Sequence, residues 1–191
     1  LRLLNECPFL TGVRTDRGAP PLVVTAGLGH LELIKVLLDA GASPLDADLR
    51  GITPLAMAAY HGRDKVIHLL LQTQQARGAS PIELLSTTTT GGETPLMAAA
   101  KKGFVSTMRY LIAAGADVHA GSRDGLTPLH LAAASGWGPA VSELLVAGAD
   151  PSRLDHRGRT PLMYAAASGS RNALQLLLES KYTPPEDEDV T

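Results

Sequence analysis

Apolar residues recur along this chain in short aliphatic blocks separated by glycines and small residues. Each block places Leu, Ile or Val at the spacing that buries one face of a short helix. The four clearest blocks cover residues 33–38, 66–71, 108–112 and 173–178. Glu143 interrupts a fifth block, so we expect its side chain to be partly exposed. The pattern predicts an all-α chain with a helix at every block.

A Thr-Pro-Leu signal precedes these blocks on a fixed period. It occupies residues 53–55, 94–96, 127–129 and 160–162, with a degenerate copy at 20–22. Threonine is a good N-cap and proline suits the first helical turn, so each copy predicts the start of a further short helix. Alanine pairs follow each full copy, and they would let neighbouring helices approach closely. Two helices per period are therefore predicted.

Glycines mark the turns between the predicted helices. One lies eight residues after each proline and another three residues before it. The first is placed to end a helix in the left-handed conformation. The second lies in a predicted hairpin-like finger, where Asp48 and Asp155 are placed to hydrogen-bond the turn backbone.

One unit is longer than the rest. Successive prolines are 33 residues apart except Pro54 and Pro95, which are 41 apart. Four of the eight extra residues lengthen the second helix by about one turn, which keeps its apolar face in place. The other four lengthen the finger, so residues 72–92 are predicted to form a long finger. Its apolar residues and threonines are either a specialised contact or phosphorylation site, or a neutral insertion.

The unit formed by residues 124–136 and 143–150 resembles an ankyrin repeat, as does the 33-residue period. The resemblance implies an ankyrin-repeat solenoid of paired antiparallel helices with hairpin-like finger loops. We expect the array over residues 1–181, with a partial repeat at 1–16. Full repeats would start near residues 17, 50, 91, 124 and 157. The partial repeat indicates a piece of a longer protein, and the acidic, proline-containing residues 182–191 are expected to be disordered.

Composition narrows the possible chemistry. The chain is 45% hydrophobic but only 4% aromatic, so its core must be aliphatic. A single cysteine excludes an internal disulfide framework and favours an intracellular protein, cytoplasmic or nuclear. The six histidines are scattered, and no metal, cofactor, small-molecule substrate or catalytic residue is predicted; His130 is expected to hydrogen-bond the repeat turns. No apolar run predicts insertion into a membrane.

The resemblance implies that finger tips and first helices bind a partner protein or peptide. The candidate residues at matching positions are Arg17, Leu49, Arg50, Ile52, Tyr60, His61, Glu93, Lys101, Lys102, Arg123, Asp124, Leu126, Trp137, His156, Arg157 and Arg159. Basic residues outnumber acidic ones on this face although the net charge of the chain is −2. We therefore expect a basic concave face, with Tyr60 and Trp137 anchoring an acidic or phosphorylated peptide.

Other interpretations stay open at this stage. The charged finger tips could serve solubility alone. Nucleic acid is a weak option because few aromatic residues are present for stacking and the chain is not positively charged overall. The favoured function is a non-enzymatic, monomeric scaffold or adaptor. The alternative is that the array targets or regulates a larger enzyme whose catalytic domain lies outside these residues.

Overall fold

The computed structural model describes residues 13–180, and within them it contains eleven α-helices and no β-strand. Ten helices form five antiparallel pairs. The first helices of the pairs are α1 Pro21–Leu28, α3 Pro54–Tyr60, α6 Pro95–Lys102, α8 Pro128–Ala134 and α10 Pro161–Ser168. The second helices are α2 Leu31–Asp39, α4 Asp64–Ala76, α7 Val105–Ala113, α9 Gly138–Val146 and α11 Arg171–Glu179. The predicted partial repeat and acidic tail lie largely or wholly outside the described residues.

Capping fixes where the first helices begin and end. The side chains of Thr53, Thr94, Thr127 and Thr160 each accept a hydrogen bond from the backbone N–H three residues later, and proline follows each one. The glycines that follow the first helices have φ between 63° and 85°. Both predictions, the threonine N-caps and the left-handed glycines, are confirmed. The repeated signal thus sets the length of every first helix to seven or eight residues.

The core is a continuous aliphatic layer between the pairs. Leu55, Leu96 and Leu129 from first helices are fully buried, as are Leu111 and Leu144 from second helices. The first helices of successive pairs pack more closely than the second helices do. Fully buried alanines on the first helices allow this close approach. The array therefore curves toward its first helices, and the fingers and first helices form its concave face.

The fingers are tight turns joined to one another. In each finger, a short polar side chain accepts backbone N–H hydrogen bonds from within the same turn; these residues are Thr15, Asp48, Thr89, Ser122 and Asp155. Neighbouring fingers then share one backbone hydrogen bond each. The donor N–H groups belong to Leu49, Thr90, Arg123 and His156. This chain of hydrogen bonds fixes the spacing of the finger tips.

The extended unit differs from the predicted finger. Helix α4 has 13 residues, where the other second helices have nine. A short helix that the sequence did not predict, α5 (Pro81–Leu85), follows it. Leu84 and Leu85 are buried in the core, whereas Ile82 is 59% exposed. Most of the apolar part of this segment is therefore core and cannot form the predicted contact surface.

Candidate protein-interaction face

All sixteen predicted partner-binding residues reach the solvent. Twelve are exposed, and four are half-buried: Ile52, Glu93, Leu126 and Arg159. The structure divides them into a row along the finger tips, a group around one cavity, and a few residues that stand apart from both. These three groups have different chemistry.

The finger-tip row is held by the backbone hydrogen bonds between fingers. The carbonyl of Arg17 accepts from the N–H of Leu49, and the carbonyl of Asp124 accepts from the N–H of His156. The position corresponding to Arg17 is also arginine at residues 50 and 157. The Leu49 side chain, which is 76% exposed, lies against Gly18. This position therefore carries an exposed arginine in three of the five fingers, and the other two have Gly91 and Asp124 there.

The second group surrounds a cavity of about 410 Å³ between the second and third fingers. Six of the predicted residues line it: Arg50, Ile52, Tyr60, His61, Glu93 and Lys101. The remaining lining residues are Ala56, Met57, Thr89 and Ala98. Residues from two fingers and two first helices thus converge on one concave site.

Tyr60 is the aromatic residue at this cavity. Its ring is 38% exposed, and the Lys102 ammonium lies 4.5 Å from the ring centroid, a cation–π geometry. The His61 ring meets the Tyr60 ring edge-on at 5.2 Å. Partial burial lowers the pKa of His61, and the positive charges of Arg63 and Lys102 lower it further. His61 is therefore mainly neutral at pH 7 and adds no charge to the cavity.

Trp137 stands apart from this cavity. It precedes helix α9, at the turn between the two helices of its pair, and its indole covers Gly103 of the preceding pair. The indole N–H donates a hydrogen bond of 3.2 Å to the Lys101 carbonyl. The ring is 46% exposed, so part of it stays accessible at the end of the first helices opposite the fingers. Of the two predicted anchors, Tyr60 lines the cavity and Trp137 contacts the backbone of the cavity residue Lys101.

Arg159 also has a structural partner. Its guanidinium contacts the Asp155 carboxylate at 2.9 Å and lies 4.5 Å from the centre of the Tyr164 ring. Tyr164 donates its hydroxyl hydrogen to the same carboxylate at 2.7 Å. Burial by itself would raise the pKa of Asp155, but hydrogen bonds from the Arg159 backbone, Tyr164 and the Arg159 side chain hold that pKa well below its usual range. Asp155 therefore stays ionised and neutralises Arg159.

Two further basic residues of the face are also paired. Arg50 lies 3.5 Å from the Asp48 carboxylate, and Lys101 lies 3.2 Å from that of Glu93. Asp48 and Asp155 were predicted from the sequence only as turn-capping residues. Their negative charges were therefore not set against the basic residues of this face. Four basic residues of the predicted set form no ion pair with any described residue: Arg17, Lys102, Arg123 and Arg157. Arg17, Arg123 and Arg157 lie on the finger tips, where Asp16 and Asp124 are also exposed, and Lys102 lies at the end of a first helix.

Four residues of the cavity were not predicted from the sequence: Ala56, Met57, Thr89 and Ala98. A signal for Met57 and Ala98 was available, because both lie three residues after the helix-starting proline. That is one helical turn before the predicted residues Tyr60 and Lys101. Nothing in the sequence indicated that Thr89 lines the cavity, because its position depends on the conformation of the finger turn in the extended unit.

His130 is buried inside the array and is not part of the candidate interaction face. It is fully buried, and its Nδ1 lies 2.9 Å from the Thr127 hydroxyl while its Nε2 lies 3.1 Å from the Arg159 carbonyl. This confirms the predicted hydrogen bonds within and between repeats. Residues 13–180 contain no cluster of three or more histidine, cysteine or acidic side chains that could hold a metal ion. None of the helices there is long and apolar enough to cross a bilayer.

Comparison with known proteins agrees with the fold. A family model described as "Ankyrin repeats (3 copies)" matches residues 1–82, 80–155 and 96–189. The chain is 39% identical over 113 residues to the human protein "Neurogenic locus notch homolog protein 4", a match that covers 59% of this chain and 5% of the relative. It is 33% identical over 101 residues to "NF-kappa-B inhibitor alpha" of Sus scrofa, covering 52% and 31% respectively.

A third relative is "Tyrosine-protein kinase HTK16" of Hydra vulgaris, which is 28% identical over 112 residues. That match covers 59% of this chain and 14% of the kinase. The matched regions span between 4% and 36% of the relatives' own lengths. The similarity therefore concerns the repeats and not the complete architecture of any relative.

Proposed function

Because this chain belongs to the ankyrin repeat family, whose repeats are non-catalytic modules that bind proteins, we propose that it is a scaffold or adaptor. Its partner is an acidic or phosphorylated segment of another protein, held on the concave face. The observation that carries this proposal is the row of finger-tip arginines with no ion pair among the described residues: Arg17, Arg123 and Arg157.

The placement of these arginines supports electrostatic attraction. Hydrogen bonds between fingers hold their backbones in one row, while their side chains remain exposed. Guanidinium groups on these fingers can bind carboxylate or phosphate groups of a peptide that crosses several fingers, and Arg can bind such groups in a bidentate manner. Attraction of this kind raises the association rate and weakens as salt screens the charges.

A charge-reversal experiment tests this proposal. The variant Arg17→Glu/Arg123→Glu/Arg157→Glu is compared with the unchanged protein in capture from cell lysate, read by mass spectrometry. We expect the acidic partner to be lost and its binding to the unchanged protein to weaken at higher salt. The matched control, Lys35→Glu/Lys65→Glu/Arg171→Glu, makes the same charge change on exposed residues of second helices.

Both variants are first checked for folding by circular dichroism. The control should retain the partner, because its substitutions lie on second helices and none is a predicted partner-binding residue. Equal loss in both triple variants would mean that net charge alone matters. Equal retention in both would place binding away from the finger tips, and either result contradicts the proposal.

One relative supports a second candidate function. A protein named a tyrosine-protein kinase matches this chain over only 14% of its own length. These repeats could in the same way be the targeting segment of an enzyme whose catalytic domain lies elsewhere in a longer chain. Sequencing the complete open reading frame distinguishes the candidates, because a catalytic domain in the same frame would favour the second.

We further propose that the array acts inside the cell, in the cytoplasm or the nucleus, as a monomer. The single cysteine supports a reducing compartment, and the scarcity of aromatic residues supports a protein partner over nucleic acid. Imaging of the tagged full-length protein tests the compartment. Light scattering of the purified array tests its oligomeric state.

A further inference from the structure

Two alanines line the cavity between the second and third fingers at positions where the other repeats carry larger side chains. Ala98 lies three residues after its proline. The same position in the other repeats holds Val24, Met57, Leu131 and Tyr164. Ala56 lies two residues after its proline, where the other repeats have Val23, Met97, His130 and Met163. The smallest side chain at each position thus lines the same cavity.

The walls of this cavity suit an aromatic side chain. Ile52, Ala56, Met57 and Ala98 supply an apolar surface, and Tyr60 supplies the edge or face of a ring. Aromatic pairs and sulfur–aromatic contacts are both favourable, and an aromatic side chain buries more apolar area than other side chains do. A volume of about 410 Å³ lies within the range of small-ligand pockets, so it can admit one large side chain.

Charge around the opening favours acidic neighbours for that side chain. Of the cations at the opening, Arg50 is paired with Asp48 and Lys101 with Glu93. Lys102, which lies over Tyr60, forms no ion pair with any described residue and leaves one positive charge there. We propose that this cavity takes one aromatic side chain of the bound peptide, with carboxylates on either side of it. The proposal rests on the proposed function and names its main anchoring site.

Two short peptides of glutamates test this inference, one with a central phenylalanine and one with a central glycine. Binding to the full chain is measured by isothermal titration calorimetry. We expect the phenylalanine peptide to bind at least about tenfold more tightly, since a well-packed anchor contributes more than roughly 1.4 kcal/mol. The variant Ala98→Leu fills the cavity with the residue found at position 131. It should remove that advantage and leave the glycine peptide unaffected.

The control is Ala167→Leu, which makes the same change at an exposed position of α10 outside the cavity. It should bind both peptides as the unchanged protein does. Equal affinity of the two peptides, or full phenylalanine binding by Ala98→Leu, would overturn the cavity proposal alone. If neither peptide binds while charge-dependent capture of a partner persists, the cavity proposal is likewise wrong and the concave-face function stands.

Discussion

His130 makes the stability of the array depend on pH. Burial lowers the pKa of this imidazole, although a hydrogen bond to Arg159 and the nearby Asp155 charge oppose that shift. The unfolded chain, with a histidine pKa near 6.5, therefore binds more protons just below that pH. The contribution of neutral His130 to the free energy of unfolding is therefore complete above about pH 6.5. It declines as the pH falls toward the folded-state pKa, by up to about 1.4 kcal/mol per pH unit.

The variant His130→Met tests this pH dependence, because Met97 already occupies the corresponding position and its sulfur accepts the Thr94 N–H. At pH 8 the variant should be about 1 kcal/mol less stable, having lost the bond to the Arg159 carbonyl. Between pH 6.5 and 5 its free energy of unfolding should decline less steeply than that of the unchanged protein. Urea titrations across this range measure both, and parallel slopes would contradict the prediction.

Substitutions at Gly103 and Gly169 distinguish two ways in which replacing a turn glycine destabilises the array. One is left-handed backbone strain, and the other is steric overlap of the new Cβ. Both glycines follow a first helix and have similar φ values, 72° and 70°. A Cβ on Gly103 would lie 2.6 Å from the Trp137 ring, whereas a Cβ on Gly169 would meet nothing within 4 Å. Gly169→Ala should therefore cost only left-handed backbone strain, about 1–2 kcal/mol. Gly103→Ala should cost about 1–3 kcal/mol more, because the indole must move.

Thermal unfolding of the two glycine variants measures this difference. The Gly103→Ala variant should also show a shifted Trp137 emission maximum, since the displaced indole becomes more exposed. Equal stability of the two variants would show that Trp137 adjusts without cost.

Single-residue predictions succeeded where one local signal determines the structure. The finger roles of Asp48 and Asp155 followed from their spacing to the turn glycine, and the turns confirm them. The same role at Thr89 and Ser122 was missed, because threonine and serine cap turns more weakly and are common elsewhere. Local hydrogen-bonding patterns are therefore readable from sequence only when the residue type is distinctive.

At the scale of single helices, the extension of α4 connects α4 with α2 of the preceding unit and with α5 of its own unit. Arg77 follows the end of α4 and donates hydrogen bonds to the carbonyls of Leu38, at 2.8 Å, and Ala42, at 3.4 Å, beyond the end of α2. On the other side, the buried Gln74 donates to the Glu83 carboxylate of α5. Without the extra turn of α4, neither side chain would reach these partners.

The variant Arg77→Ala tests this connection. It should lower the free energy of unfolding by about 1–2 kcal/mol, because carbonyls at the end of α2 lose a charged donor. Hydrogen exchange should increase first at the amides of residues 40–42. Lys65→Ala, an exposed position on the same helix, should remain within about 0.5 kcal/mol of the unchanged protein. Unchanged exchange at residues 40–42 in Arg77→Ala would contradict this role.

Helix α5 shows why one element was missed. Ser80 caps it and Pro81 occupies its first turn, the same signal that begins the first helices. Five residues are too few to form a stable helix alone, so the local pattern predicts a loop. Burial of Leu84 and Leu85 in the core stabilises it instead. Such tertiary stabilisation has no signature in the segment itself.

Over the whole molecule, the sequence predicted the solenoid and the exposure of its candidate residues, but not which of them meet. The cavity requires Ala56 and Ala98 from different repeats to face each other across 42 positions of sequence. The ion pairs of Arg50 and Lys101 likewise depend on side-chain directions in the finger turns. Repeat period fixes the register of neighbouring units, whereas cavities and charge pairing arise from their individual side chains.

Among the described residues, every extensive helix–helix contact lies within one repeat or between successive repeats. A destabilising substitution in the last repeat should therefore unfold less of the array than one at the centre. Leu111 and Leu177 are both fully buried, in the third and the last full repeat. Replacing either with alanine should cost about 2–5 kcal/mol locally. Trp137, the one tryptophan of the chain, reports on the interface between the third and fourth repeats.

In the Leu177→Ala variant, the unfolding curves measured by circular dichroism and by Trp137 fluorescence should therefore no longer coincide. Helicity measured by circular dichroism should decline first, as the last repeat unfolds, while Trp137 fluorescence changes later. In Leu111→Ala the lesion adjoins the reported interface, so both signals should shift together to lower denaturant concentration. Coincident curves for Leu177→Ala would mean that the terminal repeat is coupled to the rest strongly enough for the array to unfold as one unit.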